Sequence, residues 1–244
     1  CEKPLATTTE ECDKMIATAR KNKLVLTTYY NRHWDGWILE AVKRIKRQKM
    51  IGDVVSIYGD CGGYGKPGPW WRSSKSISGG IMYDWGVHYM EYGLQLIDSE
   101  IQEVFGTRRT GFWAPKTVWK KDTNEDDALI VTRFKSGQYF TLHFSNINAR
   151  PAEGMLTIQG TKGVFVMNAA PGWKCWRMVK GEKVYEEGEN QPGQYPKFYK
   201  NVADHLVKKT PLVITPEWSR RPIHILDLAC KSAKLGKALK AKYK

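Results

Sequence analysis

No two of the five cysteines form a C-x-x-C pair, and Cys1, Cys12, Cys61, Cys175 and Cys230 are too far apart to suggest a zinc site. An odd, scattered set also suggests no disulfide framework and favours a cytoplasmic protein. A periplasmic or secreted setting stays open, because the chain starts at Cys1 without an initiator methionine. No apolar run reaches the ~20 residues that span a bilayer, so neither membrane insertion nor a signal peptide is expected. Acidic residues are the minority charge, 25 against 39 Lys and Arg, for a net charge of +14. Such a field attracts anions. Its densest clusters, Lys43–Lys49 and Lys231–Lys244, have helix-like spacing and read as solvated faces, with no recognised nucleic-acid motif beside them. Nucleic acid is therefore not an expected partner, whereas a phosphate-bearing cofactor is compatible with the field.

Hydrophobic residues make up 41% of the 244 and aromatics 12%, enough for a substantial core. Thr7 to Glu10 has capping-box spacing and predicts a helix to about Lys21; Leu24 to Tyr30 is β-prone. A second helix is expected over Asp35 to Arg47, then a strand over Asp53 to Asp60 with Val55 and Ile57 on one face. Cys61 to Ser78, rich in glycine, proline and tryptophan, reads as a long shaped loop, and long loops in compact domains are often functional. A helix over Gly79 to Leu96 follows. The second half changes to hairpins: Ala128–Phe134 with Tyr139–Asn146, Met155–Gln159 with Val164–Asn168, then Trp173–Val179 and Lys183–Tyr185, an antiparallel sheet. Two helices close the chain, Tyr195 to Lys208 and one capped by Thr215 with Pro216 at its first position, running toward Lys240.

Asp84 and His88 stand four apart in the Gly79–Leu96 segment, which would put both on one helix face. A carboxylate beside an imidazole orients it and stabilises its protonated form, useful where a proton moves. The same spacing also serves plain helix stabilisation. Gly79-Gly80 at the helix entrance would permit close approach of a ligand. Trp70, Trp71 and Arg72 in the preceding loop suit a flat ring and an anionic group, or else pack the loop onto the sheet.

The order of these motifs resembles the glucose-fructose oxidoreductase and inositol dehydrogenase (Gfo/Idh/MocA) family along essentially the whole chain. Cys1-Glu2-Lys3-Pro4 is similar to its Glu-Lys-Pro motif, Ser78 to His88 to its glycine-led helix with Asp and His, Tyr30-Asn31-Arg32 to its Asn-containing segment, Trp71-Arg72 to its Trp-Arg element, and Gly154 to Val166 to its sheet hairpin. The resemblance implies an α+β fold: a large, mainly antiparallel open-faced sheet covered on one side by helices, preceded by a remnant of a Rossmann domain. Residues 1–32 would be that remnant and 33–244 the substrate-binding and oligomerisation domain, its last helices packing back on the first part. It further implies an NAD(P)-dependent oxidoreductase of a sugar, cyclitol or related polyol, working as a homo-oligomer through the sheet face. The catalytic residues would be Lys3, Asp84 and His88. Glu2, Lys3, Pro4, Asn31, Trp71 and Arg72 would meet the cofactor, and Lys3, Trp71, Arg72, Tyr83, Asp84 and His88 the substrate, with no metal. Either His88 takes the hydroxyl proton while Lys3 stabilises the oxyanion, or lysine is the base and histidine assists.

One element departs from the pattern. No G-x-G-x-x-G turn occurs to bring backbone amides to a pyrophosphate, nor the acidic residue about 20 positions beyond it, so NAD and NADP are not distinguished and the chain reads as a truncated enzyme, inactive alone. Cofactor-assisted glycoside cleavage or keto-sugar elimination on the same fold, and a non-catalytic interaction module built on the sheet, are the other readings.

Overall fold

A computed structural model describes residues 1–243; Lys244, the last of the second basic cluster, lies outside the described residues. Alternation of buried and exposed positions decides the central architecture. Along β3 (Asp127–Phe134) and β4 (Tyr139–Ser145) every second side chain is buried, the period of a sheet with one covered face. They join β1 (Val54–Gly62), β2 (Ile101–Arg109), β5 (Leu156–Gly160), β6 (Gly163–Met167), β7 (Trp173–Val179), β8 (Glu182–Gly188) and β9 (Leu239–Lys240) in one nine-stranded sheet ordered β8-β7-β6-β5-β1-β4-β3-β2-β9. All neighbours are antiparallel except β1 and β4, which run parallel from Ser56–Tyr139 to Gly62–Ser145. The expected α+β class with a large, mainly antiparallel sheet is what the chain forms.

The helices are α1 (Thr9–Lys21), α2 (Gly36–Ala41, continued by a π-turn over Val42–Arg47), the single-turn α3 (Lys75–Ser78), α4 (Gly86–Leu96), α5 (Pro196–Lys208) and α6 (Pro216–Leu235). Ten of the eleven residues of α4 are buried, and Met90, Leu94, Phe140, Leu142, Ile158 and Ile225 belong to one apolar core. Two glycines let helix and sheet approach closely. A Cβ on Gly93 would sit 2.3 Å from the Phe140 ring, and one on Gly106 would sit 2.4 Å from the Ala229 carbonyl oxygen of α6. The opposite sheet face carries exposed Val55, Tyr58, Phe105, Met178 and Tyr185.

Helix α1 is fixed to α6 by polar contacts in a buried seam. The Thr9 amide donates to Asp227 Oδ2 at 3.1 Å, and Thr9 Oγ1 meets His224 Nδ1 at 3.0 Å. His224 Nε2 accepts from the Lys242 amide at 3.1 Å, which makes Nδ1 the protonated nitrogen. Arg220 and Tyr243 both donate to Asp13.

Several boundaries differ from the sequence reading. The capping box is Thr8 with Glu11, one residue later than Thr7 with Glu10, a register that turns Thr9, Cys12 and Ile16 inward. Residues 24–30 form no strand: only Tyr29 N to Cys1 O and the Cys1 amine to Thr27 O bind this extended segment to the chain start, too few for a ladder. Val55 and Ile57 do not share an environment, because a bulge between Val54 and Ser56 leaves Val55 in solvent while Ile57 is buried. Strand β2 was not anticipated; its bulge between Ile101 and Glu103 and the glycine at 106 break the alternation that reveals a strand. Helix α6 stops at Gly236, whose left-handed φ of 66° ends it, and residues 239–240 become the edge strand β9. The helix-like spacing of the second basic cluster therefore holds only to Leu235.

Gly106→Ala is expected to destabilise the fold by about 1–3 kcal/mol, since the methyl group meets backbone that cannot rotate away. A urea denaturation series would show a lower midpoint with unchanged slope; an unchanged midpoint would mean that α6 and β2 are not in this contact.

Candidate active site

The segment from Gly79 to Leu96 is not the single helix expected of it. Gly79 (φ 90°) and Gly80 (φ 132°) make a turn, Ile81–Tyr83 a 3-10 turn, and Asp84 (φ −88°, ψ −77°) a break before α4 begins at Gly86. The glycines admit protein rather than open space for a ligand: a Cβ on Gly80 would lie 2.8 Å from Glu125 Oε2, and one on Gly79 would lie 3.0 Å from the Tyr83 ring. The break governs the site's charges. Because Asp84 precedes α4, it and His88 lack the one-turn geometry expected of them, and the Asp84 carboxylate turns to other partners.

Those partners are cations. Lys3 Nζ donates to Asp84 Oδ1 at 2.6 Å and to the Asp84 carbonyl oxygen at 2.9 Å, and Arg72 Nε lies 3.5 Å from the same Oδ1. The Lys3 side chain is 14% exposed and that of Asp84 35%, so the pair is screened by solvent only from one side. Arg72 also lies over the Trp71 ring at 4.4 Å. Lys3, Pro4, Trp71, Arg72, Tyr83 and Asp84, together with Ser78, line a cleft of about 20 Å³, room for one water molecule.

His88 is buried in the first turn of α4, its ring edge-on to Tyr30 (6.2 Å) and Trp85 (5.8 Å). Its Nδ1 is buried without a hydrogen-bond partner. Burial pushes its pKa down to about 3, and the positive charges of Lys3 and Arg32 add to the effect. With no carboxylate in contact to stabilise the imidazolium, the ring is held neutral. Arg32 lies over the Trp85 ring at 4.6 Å.

The remaining expected site residues divide. Glu2 is exposed and accepts the Lys3 amide at 3.1 Å; Pro4 follows a cis peptide bond; Trp71 is 48% exposed beside the cleft. Tyr83 lines the cleft, and its hydroxyl donates to the Thr7 carbonyl at 2.8 Å. Asn31 opens the 3-10 turn Asn31–Trp34 and is not among the residues that line the cleft. No cluster of metal-ligating side chains exists among the described residues. Asn124 and Glu125, buried behind the cleft, escaped the sequence reading; the one available signal was an acidic run directly before a strand, which ordinarily marks solvent.

A family model described as the GFO/IDH/MocA C-terminal domain matches residues 39–166. Myo-inositol 2-dehydrogenase of Thermotoga maritima is 26% identical over 173 residues, covering 67% of this chain and 47% of that protein. The NADP(+) scyllo-inositol 2-dehydrogenase of Bacillus subtilis is 22% identical over 268 aligned positions, covering 96% of this chain and 69% of its own length. Among solved structures, an aldose-aldose oxidoreductase of Caulobacter crescentus superposes with a TM-score of 0.80 at 20% identity, over 98% of this chain and 71% of that one. The chain thus spans about half the length of the first of these relatives.

With neutral His88 buried in the fold, and His224 lowered to about 4 chiefly by burial, stability is complete above the unfolded histidine pKa of about 6.5 and falls as pH drops toward 4 and then 3. Each buried ring contributes a slope of up to about 1.4 kcal/mol per pH unit. Urea midpoints between pH 7 and 4 would show a shallower decline for His88→Asn than for the parent; parallel curves would mean that His88 protonates freely in the folded state.

Proposed function

The chain belongs to the GFO/IDH/MocA family, and from that premise we propose that the Lys3–Asp84 cleft is the substrate end of an NAD(P)-dependent oxidoreductase acting on a sugar, cyclitol or related polyol. The observation that carries the reading is the contact between residues 81 positions apart, a half-buried ammonium held against a carboxylate beside an exposed indole and a guanidinium. Relatives named as inositol dehydrogenases support the substrate class.

The donor set fits only the reactive end of a nicotinamide dinucleotide. Lys3, with Pro4, Trp71 and Arg72 around it, offers a cation and an aromatic face, while Glu2 and Asn31 stand outside the lining and the glycine turn for a pyrophosphate is not among these residues. On this reading residues 1–32 belong to the dinucleotide-binding domain and 33–244 to the substrate domain. The bound dinucleotide supplies or accepts a hydride. The chain's own residues handle the oxygen. In the direction of carbonyl reduction, the Lys3 ammonium stabilises negative charge developing on that oxygen and gives it a proton; oxidation runs the same path backward. Asp84 aims the ammonium and accepts from a neighbouring substrate hydroxyl. His88, held neutral and outside the cleft lining of this chain, is assigned the orienting of the reacting hydroxyl rather than the role of base, since so weak a base does not take its proton at neutral pH.

The uncovered sheet face supports homo-oligomer formation, because exposed Val55, Tyr58, Phe105, Met178 and Tyr185 leave apolar area in water. Phe105→Glu is expected to shift sedimentation toward monomer, and an unchanged profile would assign assembly to another surface.

Activity is tested by following NAD(P)H absorbance with inositols and aldoses in the form of the protein that turns over. Lys3→Ala and Asp84→Asn should each lower kcat/KM about 10²–10⁴-fold. Aglycone release from glycosides without net change in NAD(P)H would replace oxidoreduction by cleavage. Calorimetric titration of the 244-residue chain alone with NAD and NADP should give no binding heat, and micromolar affinity for either would overturn the division of labour proposed for the two domains.

A further inference from the structure

Five consecutive residues, 122–126, run behind the cleft, and four of them grip the segment that presents Arg72 and Asp84. Asp122 accepts from the Ser76 amide at 2.9 Å and from the Ser74 and Ser76 hydroxyls. Thr123 bridges to Ser74. Asn124 is bound three ways: its Nδ2 donates to the Arg72 carbonyl at 2.6 Å, its amide to the Ser73 carbonyl at 3.0 Å, and its Oδ1 accepts from Ser78 Oγ at 3.2 Å. Glu125, only 3% exposed, accepts the Ile81 amide at 3.1 Å on Oε2 and faces Lys75 and Arg108 with Oε1. Asp126 points the other way and accepts the amides of Phe112 and Trp113.

This arrangement exceeds what stability asks of a loop. A buried carboxylate carries a large desolvation cost unless it is paired and hydrogen-bonded, and Glu125 meets that condition with two cations and one backbone donor, all outside the cleft. Its Oε2 also lies where a side chain at Gly80 would project, so Glu125 and Gly80 define each other's place. Arg72 is held at its carbonyl by Asn124, and Asp84 follows the 3-10 turn whose first amide Glu125 holds. Arg72 and the Asp84 carboxylate it approaches therefore both depend on neighbouring residues of one strand-entry segment.

We infer that Asn124 and Glu125 are positioning residues of the cleft, fixing from behind the direction in which Arg72 and Asp84 meet Lys3. This deepens the proposed function and rests on it for its relevance to turnover, but the experiment reads geometry, so its failure is separate from failure of the redox reading.

The test is amide hydrogen exchange and 1H–15N correlation spectroscopy on the 244-residue chain, including the Arg72 Nε–Hε signal. In Glu125→Ala the Ile81 amide should exchange about 10–100-fold faster, the equivalent of one hydrogen bond to a charged acceptor. In Glu125→Gln, which keeps an acceptor but loses the charge facing Lys75, Ile81 protection should largely return. In Asn124→Ala the Arg72 Nε–Hε signal should shift or vanish. Ile158→Val, a core change in β5 that lowers stability without touching the segment, should move none of these signals. Lys75→Gln removes one half-exposed partner of Glu125, leaves Arg108 to pair the carboxylate, and should displace the Gly80, Ile81 and Arg72 signals in the same sense as Glu125→Ala. Unchanged Gly80, Ile81 and Arg72 signals in Lys75→Gln and Asn124→Ala, or equal displacement by Ile158→Val, would reduce the segment to general support and overturn the proposal, whether or not Glu125→Ala folds.

Discussion

Lys3 reaches Asp84 because the first helix is fastened to the last long one. The Thr9 contacts with Asp227 and His224, and the Arg220 and Tyr243 contacts with Asp13, hold α1 against α6, and α6 in turn lies on β2 through Gly106. The cleft is therefore set by tertiary packing among residues more than 200 positions apart. Charged hydrogen bonds in so buried a seam count for more than surface ion pairs, since neither partner can return to water without leaving the other unpaired. The neutral form of His224 belongs to this seam, with one nitrogen donating and the other accepting.

Electrostatics around the cleft are arranged by exclusion as much as by contact. Asp84 is occupied by Lys3 and Arg72, leaving His88 among Tyr30, Trp85 and two cations, where its charged form is disfavoured. Had α4 extended back to Gly79, Asp84 would lie one turn from His88 and the imidazole would face the opposite influence. A two-residue break in the helix thus assigns the negative charge to the lysine.

Much of this was legible in the residues alone. All four meander strands from Met155 on, and the hairpin before them, declared themselves because alternation survives where one face is covered and turns are short, the last running from Glu182 to Gly188 around the expected Lys183–Tyr185. Strand β2 hid behind its bulge and glycine, and β9 behind lysine-rich spacing that reads equally as helix. The motif residues Lys3 and Asp84 were identified and do meet, whereas the pairing of Asp84 with His88 failed because helical spacing implies helical geometry only where the helix is continuous. Tyr83 was placed by its motif, but the use of its hydroxyl by Thr7 depends on α1, which no local pattern encodes. Asn124 and Glu125 look like solvent-facing residues in sequence, and only the fold shows what covers them.

The two borders of the sheet bear on how copies of the molecule can meet. At one end β8 carries Glu182, Lys183, Glu186 and Glu187; at the other, β9 caps β2 with only Leu239 and Lys240, next to further lysines. A charge-lined border at β8 and a two-residue one at β9 are poor templates for another strand, so the ladder is discouraged from lengthening chain by chain.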